Sequence, residues 1–98
     1  MPTRPSIAFD AHRAAVRQIV AAHRARNPRV FGSVARGEDA EGSDLDLLVD
    51  TVGDTSLFDL AAMELELEAL LGVPVQVTTG GALRGPLRDR VLANAEPV

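Results

Sequence analysis

The spacing of apolar positions changes several times along the 98 residues, and each change predicts an element. Between Asp10 and Ala25, Val16, Ile19, Val20 and His23 recur at i, i+3, i+4 and i+7, which predicts one helix with a single apolar stripe. Asp10 is its expected N-cap. Asn27-Pro28 is its expected end, because proline cannot continue a helix and restricts the residue before it. Arg29-Val30-Phe31 reads as a short strand closed by Gly32-Ser33, followed by a helical turn around Val34-Ala35-Arg36. Gly37 to Gly42 is polar and reads as an exposed loop.

From Ser43 to Val49 the period becomes two. Asp44, Asp46 and Leu48 share one side, and Leu45, Leu47 and Val49 share the other, which predicts a strand with one buried face. Thr55 or Ser56 caps a second long helix running to about Leu71, with Leu60, Met63, Leu67, Leu70 and Leu71 inward and Glu64, Glu66 and Glu68 on a solvated face. Gly72 is the expected C-terminal glycine. Val73 to Thr78 reads as a third strand and Gly80-Gly81 as a turn. Leu83 to about Ala95 reads as a final helix with Leu87, Val91 and Leu92 inward and Pro86 in its first turn.

The predicted fold class is therefore α+β (mixed α/β): a small mixed sheet of three or more strands with helices packed on it, most simply on one side. Length and the absence of a linker predict one domain over residues 1–98, with residues 1–6 a flexible N-terminal segment.

Composition narrows the function classes. The chain has no cysteine, so thiolate metal sites and disulfides are excluded, in keeping with a cytoplasmic location. No apolar run is long enough to span a membrane. A net charge of −4 and only three aromatic residues argue against direct nucleic-acid binding. The charge is also divided along the chain. Residues 1–36 carry seven Arg against Asp10, whereas residues 38–68 carry acids only.

Two places carry candidate chemistry. Gly32 leaves a strand for a helical turn, where a backbone without a side chain can approach a ligand and free amides attract phosphate. The Ser33 hydroxyl can add a further bond. Asp44 and Asp46, two apart on a strand, point the same way with Cα atoms roughly 6.5–7 Å apart, so their carboxylates can converge on divalent metal. Either motif alone is a common surface feature. Together they are more specific, because two residues of poor β-propensity open a strand otherwise built from Leu and Val. His12 and His23 fall on one helix but about 16 Å apart, too far to share a metal. Asp50 reads as a strand-end residue. Arg84, Arg88 and Arg90 read as solvated.

The run Val30-Phe-Gly-Ser-Val-Ala-Arg-Gly-Glu-Asp-Ala-Glu-Gly-Ser-Asp-Leu-Asp-Leu-Leu-Val-Asp50 resembles the signature of the minimal nucleotidyltransferases, small relatives of the DNA polymerase β superfamily: Gly-Ser, ten residues, Asp-x-Asp. The resemblance extends over about residues 10–95. It implies that Gly32 and Ser33 bind a nucleoside triphosphate, that Asp44 and Asp46 are the catalytic metal ligands for Mg²⁺ or Mn²⁺, and that Arg36 contacts phosphate or supports the site. It further implies an antitoxin that transfers AMP from ATP to a hydroxyl, a tyrosine, of a partner HEPN toxin. The family's third carboxylate is expected in an apolar-Asp-apolar run on the next strand. Here that run is Pro74-Val75-Gln76-Val77-Thr78, so Gln76 stands at the degenerate third-carboxylate position. Gln neither accepts a proton at useful pKa nor ligates Mg²⁺ well. That departure brings in a second reading, a module that neutralises its partner by binding, with catalysis weakened or lost.

Overall fold

A computed structural model describes residues 4–98. The chain opens with two helices rather than one, α1 (Pro5–Ala11) and α2 (Arg13–Ala22). Asp10 therefore lies inside α1 and caps nothing. His12 sits at the junction, where its Nδ1 lies 3.0 Å from the Ala8 carbonyl oxygen. His23 ends α2, so the two histidines flank that helix at its opposite ends. The expected flexible segment falls partly on residues 1–3, which lie outside the described residues. The rest of it is held: Pro5 is buried at the start of α1, and the Ser6 N–H donates to Asp39 Oδ2 at 2.9 Å.

Strand β1 (Ala25–Phe31) begins four residues earlier than the apolar pattern suggests. Asn27-Pro28 does not end a helix. It forms an irregularity within the strand, where the register to the next strand shifts between Arg26 and Arg29 and Asn27 takes φ +53°. Proline survives in a strand at such a bulge because no ladder N–H is required of it there. Then come α3 (Gly32–Ala35), β2 (Leu45–Thr51), α4 (Leu57–Leu71), β3 (Val75–Thr79), a 3₁₀ turn (Gly80–Ala82), α5 (Gly85–Asn94) and β4 (Glu96–Pro97).

Among the described residues the sheet has the order β3-β2-β1-β4. β1 is antiparallel to β2 and β4, and β2 is parallel to β3 across the α4 crossover. The mixed sheet and its packed helices match the expected fold class. The main core lies on one side of the sheet, where Val16 and Val20 of α2 and Met63, Leu67 and Leu71 of α4 meet Val30, Leu45, Leu47, Val49 and Val75. Of the two expected caps it is Ser56 that starts α4, in a reciprocal capping box with Asp59, and Gly72 closes the helix at φ +69° as its sequence predicts. Leu57, Phe58 and Leu65 of α4 stay exposed outside this core.

Three side-chain placements depart from expectation. Leu48, on the far face of β2, is fully buried, so β2 is covered on both sides at that point. In α5 only Val91 is buried, whereas Leu87 and Leu92 remain exposed; Pro86 does stand in the first turn. Glu64 and Glu68 are not merely solvated. Glu64 Oε1 accepts the Val77 N–H at 2.9 Å and Glu68 Oε2 accepts the Val75 N–H at 3.0 Å. β3 is an end strand, and these carboxylates occupy amides that would otherwise face outward unpaired.

Candidate active site

The site forms where β1 ends, because the chain must turn sharply there without a side chain in the way. Gly32 has φ +72°, a region that L side chains rarely adopt. A Cβ added at Gly32 would overlap Asp46 Oδ2 and lie 3.3 Å from Asp46 Cγ. The backbone thus lies against the carboxylate in space that only glycine leaves open. Register explains the juxtaposition. Phe31 is the antiparallel partner of Asp46, so the residue after Phe31 passes beside the Asp46 side chain. Ser33 is half-buried in the first turn of α3, and Arg36 follows that helix.

Asp44 stands exposed immediately before β2, and Asp46 is half-buried as its second residue. Burial pushes the Asp46 carboxyl above its ordinary value. The nearby Asp44 charge raises it further, and Arg36 pulls against both. A carboxylate held in this way lacks positive charge. The chemistry of the donor set, two carboxylates with an unneutralised charge between them, suits a hard divalent cation completed by phosphate oxygens. Arg36 also donates from Nε to Glu38 Oε2 at 3.2 Å. Gln76 is the β3 residue directly in register with Asp46, and it is exposed on the same side of the sheet. No group of three or more His, Cys, Asp or Glu converges among the described residues.

Beside the carboxylates lies a cleft of about 400 Å³ between α5 and the β1–α3 corner. Gly32 and Arg36 belong to its wall, whereas Asp44 and Asp46 do not. Arg90, read from sequence as solvated, also lines it. Residues 14–96 match the nucleotidyltransferase domain family. The chain belongs to that family.

A relative from Methanocaldococcus jannaschii, provisionally named a protein adenylyltransferase, is 40% identical over 80 residues, covering 82% of this chain and 86% of the relative. A solved structure, provisionally described as a minimal nucleotidyltransferase, shares 46% identity at TM-score 0.85 and covers 95% of each chain. A toxin–antitoxin structure with AMP-PNP aligns at TM-score 0.70 over 82% of this chain and 66% of that one; at 16% identity this likeness concerns the fold. Two other acids of this nucleotidyltransferase chain, Asp50 and Asp39, have structural work. Asp50 accepts from Asn27 Nδ2 at 3.0 Å and from Arg29 Nη2 at 2.5 Å, and the Asn27 hydrogen bond, aided by Arg29, holds its carboxyl below the ordinary value. Asp39, unremarked in the sequence, is the one buried charged residue of the described chain. Burial works to raise its pKa, but hydrogen bonds from Ser6 and the Arg4 guanidinium outweigh that and lower it. No local pattern marks Asp39, because its partners lie more than 30 residues away.

Proposed function

We propose that the chain is an antitoxin that transfers AMP from metal-bound ATP to a hydroxyl, a tyrosine side chain, of a partner HEPN toxin in the cytoplasm. The observation that carries this reading is the close approach of the Gly32 backbone to Asp46, with Asp44 alongside, in a chain whose relative bears the name of a protein adenylyltransferase. In the reaction the acceptor oxygen forms a bond to the α-phosphorus and gives up its proton to solvent, the bond to the bridging oxygen breaks, and pyrophosphate leaves with that electron pair. Asp44 and Asp46 would hold Mg²⁺ or Mn²⁺, which would neutralise phosphate charge; the Gly32 and Ser33 backbone and the Ser33 hydroxyl would cradle phosphate, and Arg36 would add positive charge. The toxin–antitoxin structure with AMP-PNP supports the pairing of this fold with a toxin and an ATP-like ligand.

Mass spectrometry of the partner after incubation with this chain, ATP and Mg²⁺ tests the reading. A gain of one or more AMP units is expected. It is expected to fall by at least about 10²-fold in rate with Asp44→Asn, since the metal supplies several kcal/mol of transition-state stabilisation. Transfer that survived both Asp44→Asn and Asp46→Asn would end the proposal.

Gln76, in register with Asp46, favours a second reading, a module that neutralises by binding. A neutral amide there cannot take the acceptor's proton. If the missing base is the defect, Gln76→Asp raises transfer by roughly 10²–10⁴-fold. Efficient transfer by the native chain, unimproved by that substitution, would rule out the binding-only reading.

A further inference from the structure

α4 has a second apolar face. Met63, Leu67 and Leu71 meet the core, whereas Leu57, Ala61, Leu65 and Ala69, every fourth residue, form a row outside it with Phe58 alongside. All five are exposed, Leu57 at 82%, Phe58 at 86% and Leu65 at 68%. A helix apolar on both faces is ordinarily buried on both. α2 shows the contrast, since its exposed positions include Arg13, Arg17 and Gln18.

Each acid of α4 has a partner away from this row. Glu64 and Glu68 accept the β3 amides of Val77 and Val75, Glu66 Oε2 lies 3.1 Å from His23 Nε2, and Asp59 Oδ2 accepts the Ser56 N–H at 2.9 Å. The row itself is uncharged. Two copies can therefore meet through it without setting like charges against each other, and a charged partner finds nothing on it to pair with. The order of sizes along the row then selects among uncharged partners. A two-fold axis crossing α4 at the level of Met63 sets Leu57 of one copy opposite Ala69 of the other, and Leu65 opposite Ala61. Every large side chain of the row meets a small one. Rows of every fourth residue are the ridges through which helices most often pack, and alanine in such a row lets two axes approach to about 8–10 Å.

We infer that the outward face of α4 is a docking surface for a second copy of this chain, with the two α4 helices antiparallel in a two-fold dimer. The candidate active site stays open in it, because Asp46 lies on the face of β2 opposite to Leu45 and Leu47, which pack with α4. The contact does not depend on the transfer proposed above.

Sedimentation equilibrium of the native chain over a concentration series tests the contact. A reversible monomer–dimer equilibrium is expected, with Kd on the order of 10 µM for a contact of this small size. Leu65→Lys, at an exposed position, should leave the fold and Tm unchanged and weaken the dimer at least about 30-fold. Leu92→Lys, at an exposed leucine of α5, should leave the dimer as it is. Exchanging the sizes tests the register. Leu65→Ala opens a gap at both symmetry-related pairs and should weaken the dimer about 10-fold. Adding Ala61→Leu to it refills each pair from the other side and should bring the affinity back to near the native value. A folded native chain still monomeric at about 1 mM would overturn the proposal and give the face to a different protein. A dimer unmoved by Leu65→Lys, or weakened as much by Leu92→Lys, would put the contact elsewhere. Growth past the dimer, or a double variant no tighter than Leu65→Ala, would exclude the two-fold α4 contact.

Discussion

At the scale of single residues, the site sets a glycine at positive φ against a half-buried carboxylate. Gly32→Ala forces a Cβ into space held by Asp46 Oδ2 at a backbone angle costly for alanine. Displacing the carboxylate by about 1 Å is enough to cost roughly 10²-fold in rate, so transfer is expected to collapse more than stability. A Gly32→Ala chain with native transfer and native Tm would contradict this geometry. Asp46→Asn has the opposite effect on stability. The raised carboxyl means that the folded state resists ionisation at this position, so charge on Asp46 opposes folding above its unfolded pKa. Thermal melts at pH 7–8 should show Asp46→Asn to be more stable than the native chain, although transfer is lost. The gain should shrink as pH falls through the raised folded pKa and vanish below the ordinary carboxylate value. Mg²⁺ should raise the Tm of the native chain and not that of the variant. A destabilised Asp46→Asn at neutral pH would count against the electrostatic account.

At the scale of elements, local rules succeeded where one segment carries its own signal. The capping box at Ser56, the closing Gly72 and the inward Met63, Leu67 and Leu71 all follow from α4's own sequence. Ser56→Ala removes a reciprocal cap and is expected to cost about 1 kcal/mol, seen as a Tm lowered by several degrees in chemical or thermal unfolding. The Gly-Ser and Asp-x-Asp motifs were equally legible, and sheet register explains why Gly32 meets Asp46. The N-terminal region was not legible, because the apolar period runs from Val16 to His23 and carries no signal for α1 or for the break at His12 that precedes it. Likewise Pro28 signals a helix end by its own chemistry, but β2 and β4 recruit its surroundings into a bulged strand. Glu64 and Glu68 look solvated on a helical wheel because the amides that they serve belong to a different element. The wall of α5 was missed for a related reason. Arg90 has no motif, and its place in the cleft depends on how α5 lies against the β1–α3 corner.

At the scale of the whole molecule, distant ties join α1 to the loop between α3 and β2, and Val98 to β1. Asp39 binds Arg4 and Ser6 at one end, and the Val98 N–H donates to the Pro28 carbonyl at the other. Asp39 and Asp50 both have lowered folded pKa values, so their contribution is fully present above the ordinary carboxylate range and is lost as pH falls through those lowered values. Asp39→Ala, which leaves Arg4 and the Ser6 amide without this partner, is expected to cost about 1–3 kcal/mol at neutral pH, with the deficit narrowing in acid. Denaturant melts at pH 7 and below pH 4 check both halves of that statement. The two glutamates along β3 have a consequence beyond the fold of one copy. A sheet with its last row of amides free is a template on which further copies can assemble, and Glu64 and Glu68 occupy that row from within the same chain. Replacing both with alanine should leave the monomer folded yet make its solutions turbid with time and concentration in light scattering. On that view this small protein's colloidal behaviour in a crowded cell depends on two side chains to which the proposed chemistry gives no part.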